Sequence, residues 1–337
     1  MGSPVEKPVV APMRQGDGGR GVEWTRGSGN LAKSRPGERF MPVRLVSPYL
    51  SHGFGWMRGN LHTHTTNTDG TLSPTETALA YARLGYGFLC LSDHDTLTWP
   101  VDAPDSLIMA PGLEVGGGPH ILAVNVETEI PHDASRQEVI DAIRDAGGLA
   151  VLNHPNWEYH FNHFPQEQIE ALTGFAGIEI YNGVIEPLEG CALATDRWDL
   201  LLSRGKRAWG FAHDDTHHES LIGRAWLMAQ VGRATREGVA EALAHGRFYC
   251  STGVEIEKVA VEADTISVRA PNADHIRFYG QWGRLVHFAD GCEASYQAGG
   301  REGGYVRIEC YGSRAARAWT QPIYVEELTE TGESAPE

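Results

Sequence analysis

The sequence predicts an α/β protein, a layered βα domain followed by a smaller all-β one. Two textures and the chain length carry that prediction. From Trp56 to about Ala244, short apolar runs alternate with helical segments, the pattern of βα units. After Gly253 the pattern turns to period-two alternation with turn residues and almost no helix signal, which reads as a small β-sandwich. The 337 residues, at roughly 150 per domain, fit about two domains.

Taken in order, residues 1–38 are rich in Gly, Pro, Arg and Ser without an apolar period and are expected to form a flexible tail. The first domain spans 39–252, with strands expected at 57–62, 88–92, 107–115, 120–126, 149–152, 177–181, 208–211 and 225–231. A helix at 74–84 starts with Ser73 as cap, Pro74 at the first helical position and Glu76 in the first turn. Another at 135–146 pairs Ser135 with Glu138 and stops at Gly147-Gly148. Further helices are expected at 166–172, 188–203 and 235–244. The β-sandwich spans 253–329, with strands at 255–262, 265–269, 275–279, 305–309 and 323–326, and residues 330–337 form a C-terminal tail. No internal repeat of 20 to 50 residues is evident.

Composition narrows the function classes. Apolar residues at 41% and charged residues at 21% give a globular balance. With 28 Lys and Arg against 44 Asp and Glu, the net charge of −16 repels phosphate backbones, so a nucleic-acid polymer is an unlikely partner unless a local metal site inverts the field. No window of 18 apolar residues is present, so no membrane span is expected. The N-terminus has no apolar leader, and Glu6 stands where myristoylation needs Ser or Thr. Five scattered cysteines without a CxxC pair suit neither a disulfide framework nor a thiolate zinc site, and the expected location is cytoplasmic.

The chemistry is carried by 15 histidines, most of them clustered with carboxylates in the first two thirds of the chain. His62 and His64, at i and i+2 at a strand end, point to the same side and can reach one cation. A lone HxH is weak, but its neighbours repeat it. The run 88–92 leads into Asp93-His94-Asp95, the next ends at Glu114, the following one begins at His120, and 150–152 leads into Asn153-His154-Pro155. The strand at 208–211 then delivers His213-Asp214-Asp215-Thr216-His217-His218. Parallel strands converge their C-terminal ends on one face, where such sites are built. His52, His132, His245, His275 and His287 fall outside this pattern and are assigned no role.

The segments His62-Thr63-His64 with Asp69-Gly70, Ser92-Asp93-His94-Asp95, Gly112-Leu113-Glu114, His154-Pro155 and Asp215-Thr216-His217 resemble the successive motifs of the PHP (polymerase and histidinol phosphatase) metallohydrolases, over about residues 56 to 250. The branch most similar is that of the carbaryl-hydrolase-like proteins, through the stretch from Trp209 to His218 and the β domain that follows. The resemblance implies a distorted seven-stranded βα barrel and two or three divalent transition-metal ions. It assigns one metal to His62, His64, Glu114 and Asp215, a second to Glu114 as bridge with His120 and His154, and a third to Asp69, His94 and His217. Imidazole and carboxylate without thiolate independently suit Zn, Mn or Fe. Asp214 competes with Asp215, but only Asp215 has the D-x-H spacing to His217; Asp93 and Asp95 are candidates for orienting imidazoles.

Metals roughly 3.5–4 Å apart activate a water and clamp attacking and leaving oxygens, so the implied chemistry is hydrolytic. No GxSxG or Walker segment offers another route. The leading expectation is a phosphoesterase acting on a small phosphate ester. Asp93, Arg224 and His218 are its candidate catalytic groups beyond the metals, although Arg224 could equally be a structural ion pair and His218 a bystander. The aromatic segment 156–164 could recognise an aryl or sugar leaving group or simply pack on the barrel. The alternatives are a carbamate, ester or amide hydrolase with the same metal site, and a non-catalytic metal-stabilised binding module. Oligomeric state is left open.

Overall fold

The structure is a computed structural model and describes residues 42–50 and 55–328. The expected tails and His52 lie outside the described residues. Strands run in the order β1 (Val43–Val46), β2 (Trp56–Asn60), β3 (Phe88–Cys90), β4 (Ile108–Ala110), β5 (Gly112–Val115), β6 (Ile121–Val124), β7 (Leu149–Leu152), β8 (Gly177–Asn182), β9 (Trp209–His213), β10 (Trp226–Gln230) and β11 (Phe248–Ser251). They continue as β12 (Lys258–Glu262), β13 (Thr265–Arg269), β14 (Ala273–Gly280), β15 (Arg284–Asp290), β16 (Glu293–Gln297), β17 (Tyr305–Gly312), β18 (Arg317–Thr320) and β19 (Ile323–Glu327). The helices are α1 (Pro74–Arg83), α2 (Arg136–Asp145), α3 (Gln166–Ala171), α4 (Thr195–Ser203) and α5 (Arg236–Ala244).

Local chemistry explains the boundaries. Both α1 and α2 open with reciprocal capping boxes, Ser73 with Glu76 and Ser135 with Glu138. The strand expected at 107–115 is two strands, because Pro111 has no N–H for a ladder and the chain passes there from one sheet to another. Helix α4 starts at Thr195 rather than 188. The preceding segment instead bridges other parts of the chain, Gly190 to Trp157 and Leu193 to Tyr181 of β8, and Gly190 sits at φ 100° where a Cβ would meet Asn156 O at 2.4 Å.

The ladders fall into three sheets among the described residues. One has eleven strands, ordered β1-β19-β17-β18-β11-β10-β2-β3-β4 with β14 pairing β17 and β15 pairing β14; another is β5-β6-β7-β8-β9; a third is β12-β13-β16. β2-β3-β4 and β7-β8-β9 are parallel, whereas β5-β6-β7 is antiparallel. The protein is thus a mixed α/β fold rich in strands. Isolated parallel bridges, Thr63 to Thr216 and His94 to Glu114, link the first two sheets beyond the ends of β2 and β3.

The core beneath these sheets is apolar: Leu113, Val115, Ile121, Val151, Ile178 and Phe211 are fully buried with Ile140 and Ile143 of α2 and Trp198 of α4. Each such side chain contributes about 1.5–3 kcal/mol through burial. Strands after Gly253 share in it through Tyr305 and Trp319, while Ile266, Val268, Ile276, Phe278 and Ile308 form a second core between β12-β13-β16 and the β14-β17 layer. β18 pairs directly with β11, and the Gln321 side chain both accepts from Gly210 N (2.8 Å) and donates to Gly210 O (2.7 Å).

Candidate metal centre

The HxH segment lies just past β2. His64 N donates to Thr216 O at 2.8 Å and Asp215 N to His62 O at 3.1 Å, so residues 62–64 stay extended beside 215–216 and both imidazoles face one side. Asn60 holds the entry, accepting from His62 N at 3.0 Å and donating to Ala225 O at 3.0 Å.

Glu114 is placed by the hairpin between β5 and β6. Gly117 turns at φ 74°, where a Cβ would meet His132 O at 2.1 Å, and the buried Arg136 side chain donates to Gly116 O (2.7 Å) and Pro119 O (3.2 Å). With Val115 opposite Ile121, His120 arrives beside Glu114.

The donor atoms converge around that carboxylate. Glu114 Oε1 lies 3.1 Å from His62 Nε2, 3.2 Å from His120 Nδ1 and 3.2 Å from His154 Nε2. Its Oε2 lies 3.1 Å from His94 Nδ1 and 3.5 Å from His64 Nε2. Asp215 Oδ1 is 3.2 Å from His62 Nε2 and 3.0 Å from His64 Nε2. On the outer side, Asp69 is 3.4 Å from His94 Nε2, 3.3 Å from His217 Nε2 and 3.6 Å from His64 Nδ1.

These donors fit divalent cations. Two ligands each about 2.1 Å from one ion, at about 90–110°, stand about 3.0–3.4 Å from one another, the spacing seen between most of these nitrogens and oxygens. Several of the atoms have no hydrogen-bond partner although buried: His62 Nε2, both His64 ring nitrogens, His120 Nδ1 and Asp215 Oδ1. Orphaned buried polar atoms are costly, and cations shared among these donors would satisfy them, more than one because the two His64 nitrogens cannot face the same ion. The set is six imidazoles and three carboxylates without a thiol.

The charges are mutually poised. Burial opposes ionisation of Glu114, but the facing His62, His120 and His154 imidazoles hold its carboxyl well below the usual range. Asp215 and Asp69 are likewise depressed against burial, the first by His62 and His64, the second by His217 and His94. Burial lowers His94, yet Asp69 and Glu114 outweigh it and push it up to about 10.

Three residues without an assigned role support this layer. Glu179, in the middle of β8, accepts from His62 Nδ1 at 2.8 Å and His213 Nδ1 at 2.7 Å through Oε1, and from His154 N (2.8 Å) and Asn182 Nδ2 (3.0 Å) through Oε2. Asn153 donates to Glu114 Oε1 at 2.7 Å, and Asn182 to Asp215 Oδ2 at 3.0 Å. His163 contacts the same group, but its Nε2 already accepts from His120 N at 3.0 Å.

Other candidates are engaged elsewhere. Asp93 binds the loop leading to Asp69, accepting from Thr65 N and Oγ1 and Thr68 Oγ1, each at 2.7 Å, and from Thr98 at 2.5 Å. Asp95 accepts from Gly116 N at 2.8 Å. Asp214 accepts from Gly223 N, Arg224 N, Ala225 N and Tyr81 OH, which commits both its oxygens to a structural turn. The Arg224 guanidinium pairs with Glu186 at 3.3 Å, and His218 caps a short helix through Ser220. In the segment 156–164, Trp157 packs on the His154 and His163 rings at 5.0 and 4.9 Å, whereas Tyr159 and Phe161 are exposed.

No protein-family model matches the chain, and no curated protein matches it. Among solved structures, it is similar to a two-domain protein from Bacteroides vulgatus containing a predicted PHP-like metal-dependent phosphoesterase, at 14% identity and TM-score 0.47, over 86% of this chain and 100% of that one. An amidohydrolase from Chromobacterium violaceum, solved with sulfate and no metal, matches at 16% identity and TM-score 0.37, over 48% and 87%. The lesion-specific endonuclease EndoQ from Pyrococcus furiosus matches at 16% identity and TM-score 0.39, over 56% of each chain.

Proposed function

We propose that this chain is a metal-dependent hydrolase of the PHP type, acting on a small phosphate ester. The observation that carries the reading is the convergence of nine ligating side chains, several with buried, unpartnered donor atoms, around Glu114. Divalent ions held by His62, His64, Asp69, His94, Glu114, His120, His154, Asp215 and His217 would supply Lewis acidity and an acidified water. The chain's own part is to hold the donors rigid. Glu114 presents one oxygen to His62, His120 and His154 and the other to His64 and His94, the arrangement of a bridging carboxylate.

Glu179 fixes the His62 tautomer, directing its proton to Nδ1 and its lone pair at Nε2 toward Glu114 and Asp215. Arg224, in an exposed pair with Glu186, is the group proposed to exchange that partner for a phosphoryl oxygen. The net charge of −16 favours a small substrate over a nucleic-acid polymer, and the scattered, odd-numbered cysteines favour the cytoplasm.

The test is hydrolysis by metal-replete protein of p-nitrophenyl phosphate and bis(p-nitrophenyl) phosphate against p-nitrophenyl acetate and an aryl carbamate. Phosphate turnover that a chelator abolishes supports the reading. Carbamate or acetate turnover well above phosphate turnover replaces the phosphoesterase with an acyl hydrolase on the same metals.

A further inference from the structure

A shallow groove of about 550 Å³ lies between α4 and the face of β14 and β17, lined by charged and aromatic side chains that the metal centre does not use. Its floor is internally locked. Arg307, 2% exposed, donates from Nε and Nη2 to the two Asp199 oxygens at 2.7 Å each, and from Nη1 to Glu309 at 2.5 Å. Tyr305 donates to Asp199 at 2.8 Å, Tyr311 donates to Glu309, and the Tyr311 ring lies 4.8 Å from the Arg277 guanidinium and 5.1 Å from that of Arg317.

On the groove wall stands Trp282, 56% exposed, with its backbone at φ 63° and ψ 28°. A bulky residue adopts that left-handed conformation only where its surroundings impose it. Here Trp282 N donates to Ser203 Oγ at 2.7 Å and Gln281 Nε2 to Ser203 O at 3.2 Å. The next residue, Gly283 at φ 64°, lacks the Cβ that would meet Asp199 Oδ2 at 2.8 Å. The chain thus holds a large flat side chain open to solvent beside a fixed set of planar polar groups.

We propose that this groove is a binding site for a neutral saccharide. An exposed indole offers a surface for the apolar face of a pyranose ring, and rigid carboxylates and guanidiniums suit its hydroxyls. A carboxylate has about four accepting lone-pair sites, so Asp199, which accepts from Arg307 and Tyr305, and Glu309, which accepts from Arg307 and Tyr311, keep some capacity. Charge discriminates against other ligands. Asp196, Asp199 and Glu309 outnumber Arg307 and Arg317, so the lining has no positive excess for a phosphate, and the two guanidiniums already flanking Tyr311 oppose a cation over that ring. Asp196 also accepts from Asn156 Nδ2 at 2.8 Å, tying the groove to the loop that follows His154.

Calorimetric titration of the metal-loaded full chain with glucose, maltotriose, cellotriose, xylotriose and diacetylchitobiose tests the proposal, with inorganic phosphate and choline as charged probes. We expect saturable binding of at least one neutral saccharide. That binding should weaken by about tenfold or more in Trp282→Gly, which suits the local backbone, and in Arg317→Ala. Both variants should keep the wild-type Tm and hydrolytic activity. Binding by no neutral saccharide, binding that survives Trp282→Gly, or displacement of the saccharide by phosphate or choline would each overturn it.

Discussion

Replacing Glu179 by Gln keeps the shape of the side chain and changes only its capacity to accept. Four donors converge on it: two imidazole Nδ1 atoms at one oxygen, and the His154 N–H and the Asn182 amide at the other. A glutamine has one accepting oxygen. Because the His154 N–H can only donate, and Asn182 Oδ1 is held by the Val184 and Ile185 N–H groups so that its NH2 faces residue 179, that oxygen turns to them and the new NH2 faces His62 and His213. Both imidazoles must then accept at Nδ1 and carry their protons on Nε2. For His62, Nε2 is the atom 3.1 Å from Glu114 and 3.2 Å from Asp215, so the lone pair that would ligate a metal is lost. Orienting partners of metal-bound imidazoles are typically worth about 10–100-fold in metal affinity or activity, or about 1.4–2.8 kcal/mol. The fold itself should tolerate the change, since a buried charge is removed rather than stranded. Competition against a chelator with a coloured metal complex measures the affinity, and circular dichroism checks folding. A folded Glu179→Gln protein whose metal affinity stays within twofold of wild type would refute the tautomer argument.

Glu114→Gln should cost more activity than Asp93→Asn, because Glu114 faces five imidazoles while Asp93 only fastens the 65–68 loop and Thr98. For Asp93→Asn a loss of about 10–100-fold is expected, and near wild-type turnover of metal-loaded Glu114→Gln would show that it bridges nothing. Arg224→Ala should depress phosphate-ester hydrolysis far more than hydrolysis of a neutral ester; its N–H to Asp214 is kept and the exposed Glu186 pair is worth only about 0–1 kcal/mol, so Tm should barely move. Equal losses in kcat/KM for both substrates would leave Arg224 as an ion pair alone. His275 and His287, on β14 and β15, should act at most as scaffold. Their double alanine variant should hold the wild-type metal content, and loss of a metal equivalent would show that the strands after Gly253 supply ligands.

The ligand candidates were legible because they stand at strand ends, where an ionisable residue interrupts an apolar run. His62, Glu114, His154 and Asp215 all carry that mark. Glu179 does not. It lies inside β8 between the fully buried Ile178 and Ile180, and the available signal was an acid in a strand with no polar face. His213 and Asn182 went unassigned because their roles depend on Glu179. The tight reversal through Gly116-Gly117-Gly118-Pro119 was readable, yet its consequence, an antiparallel β5-β6-β7, replaces the parallel succession that βα alternation suggests. Pairing between β11 and β18 joins Tyr249 to Thr320, a separation over which local patterns carry no register. Leu188-Glu189 has a helical pattern in the sequence, but Gly190 is pressed against Asn156 O and α4 starts only at Thr195.

The most direct test of the account is elemental analysis of protein expressed with Zn, Mn and Fe supplied and then dialysed free of loose ions. Nine converging donors exceed what one cation coordinates, so at least two ions per chain are predicted. Less than one equivalent per chain in folded protein would contradict it.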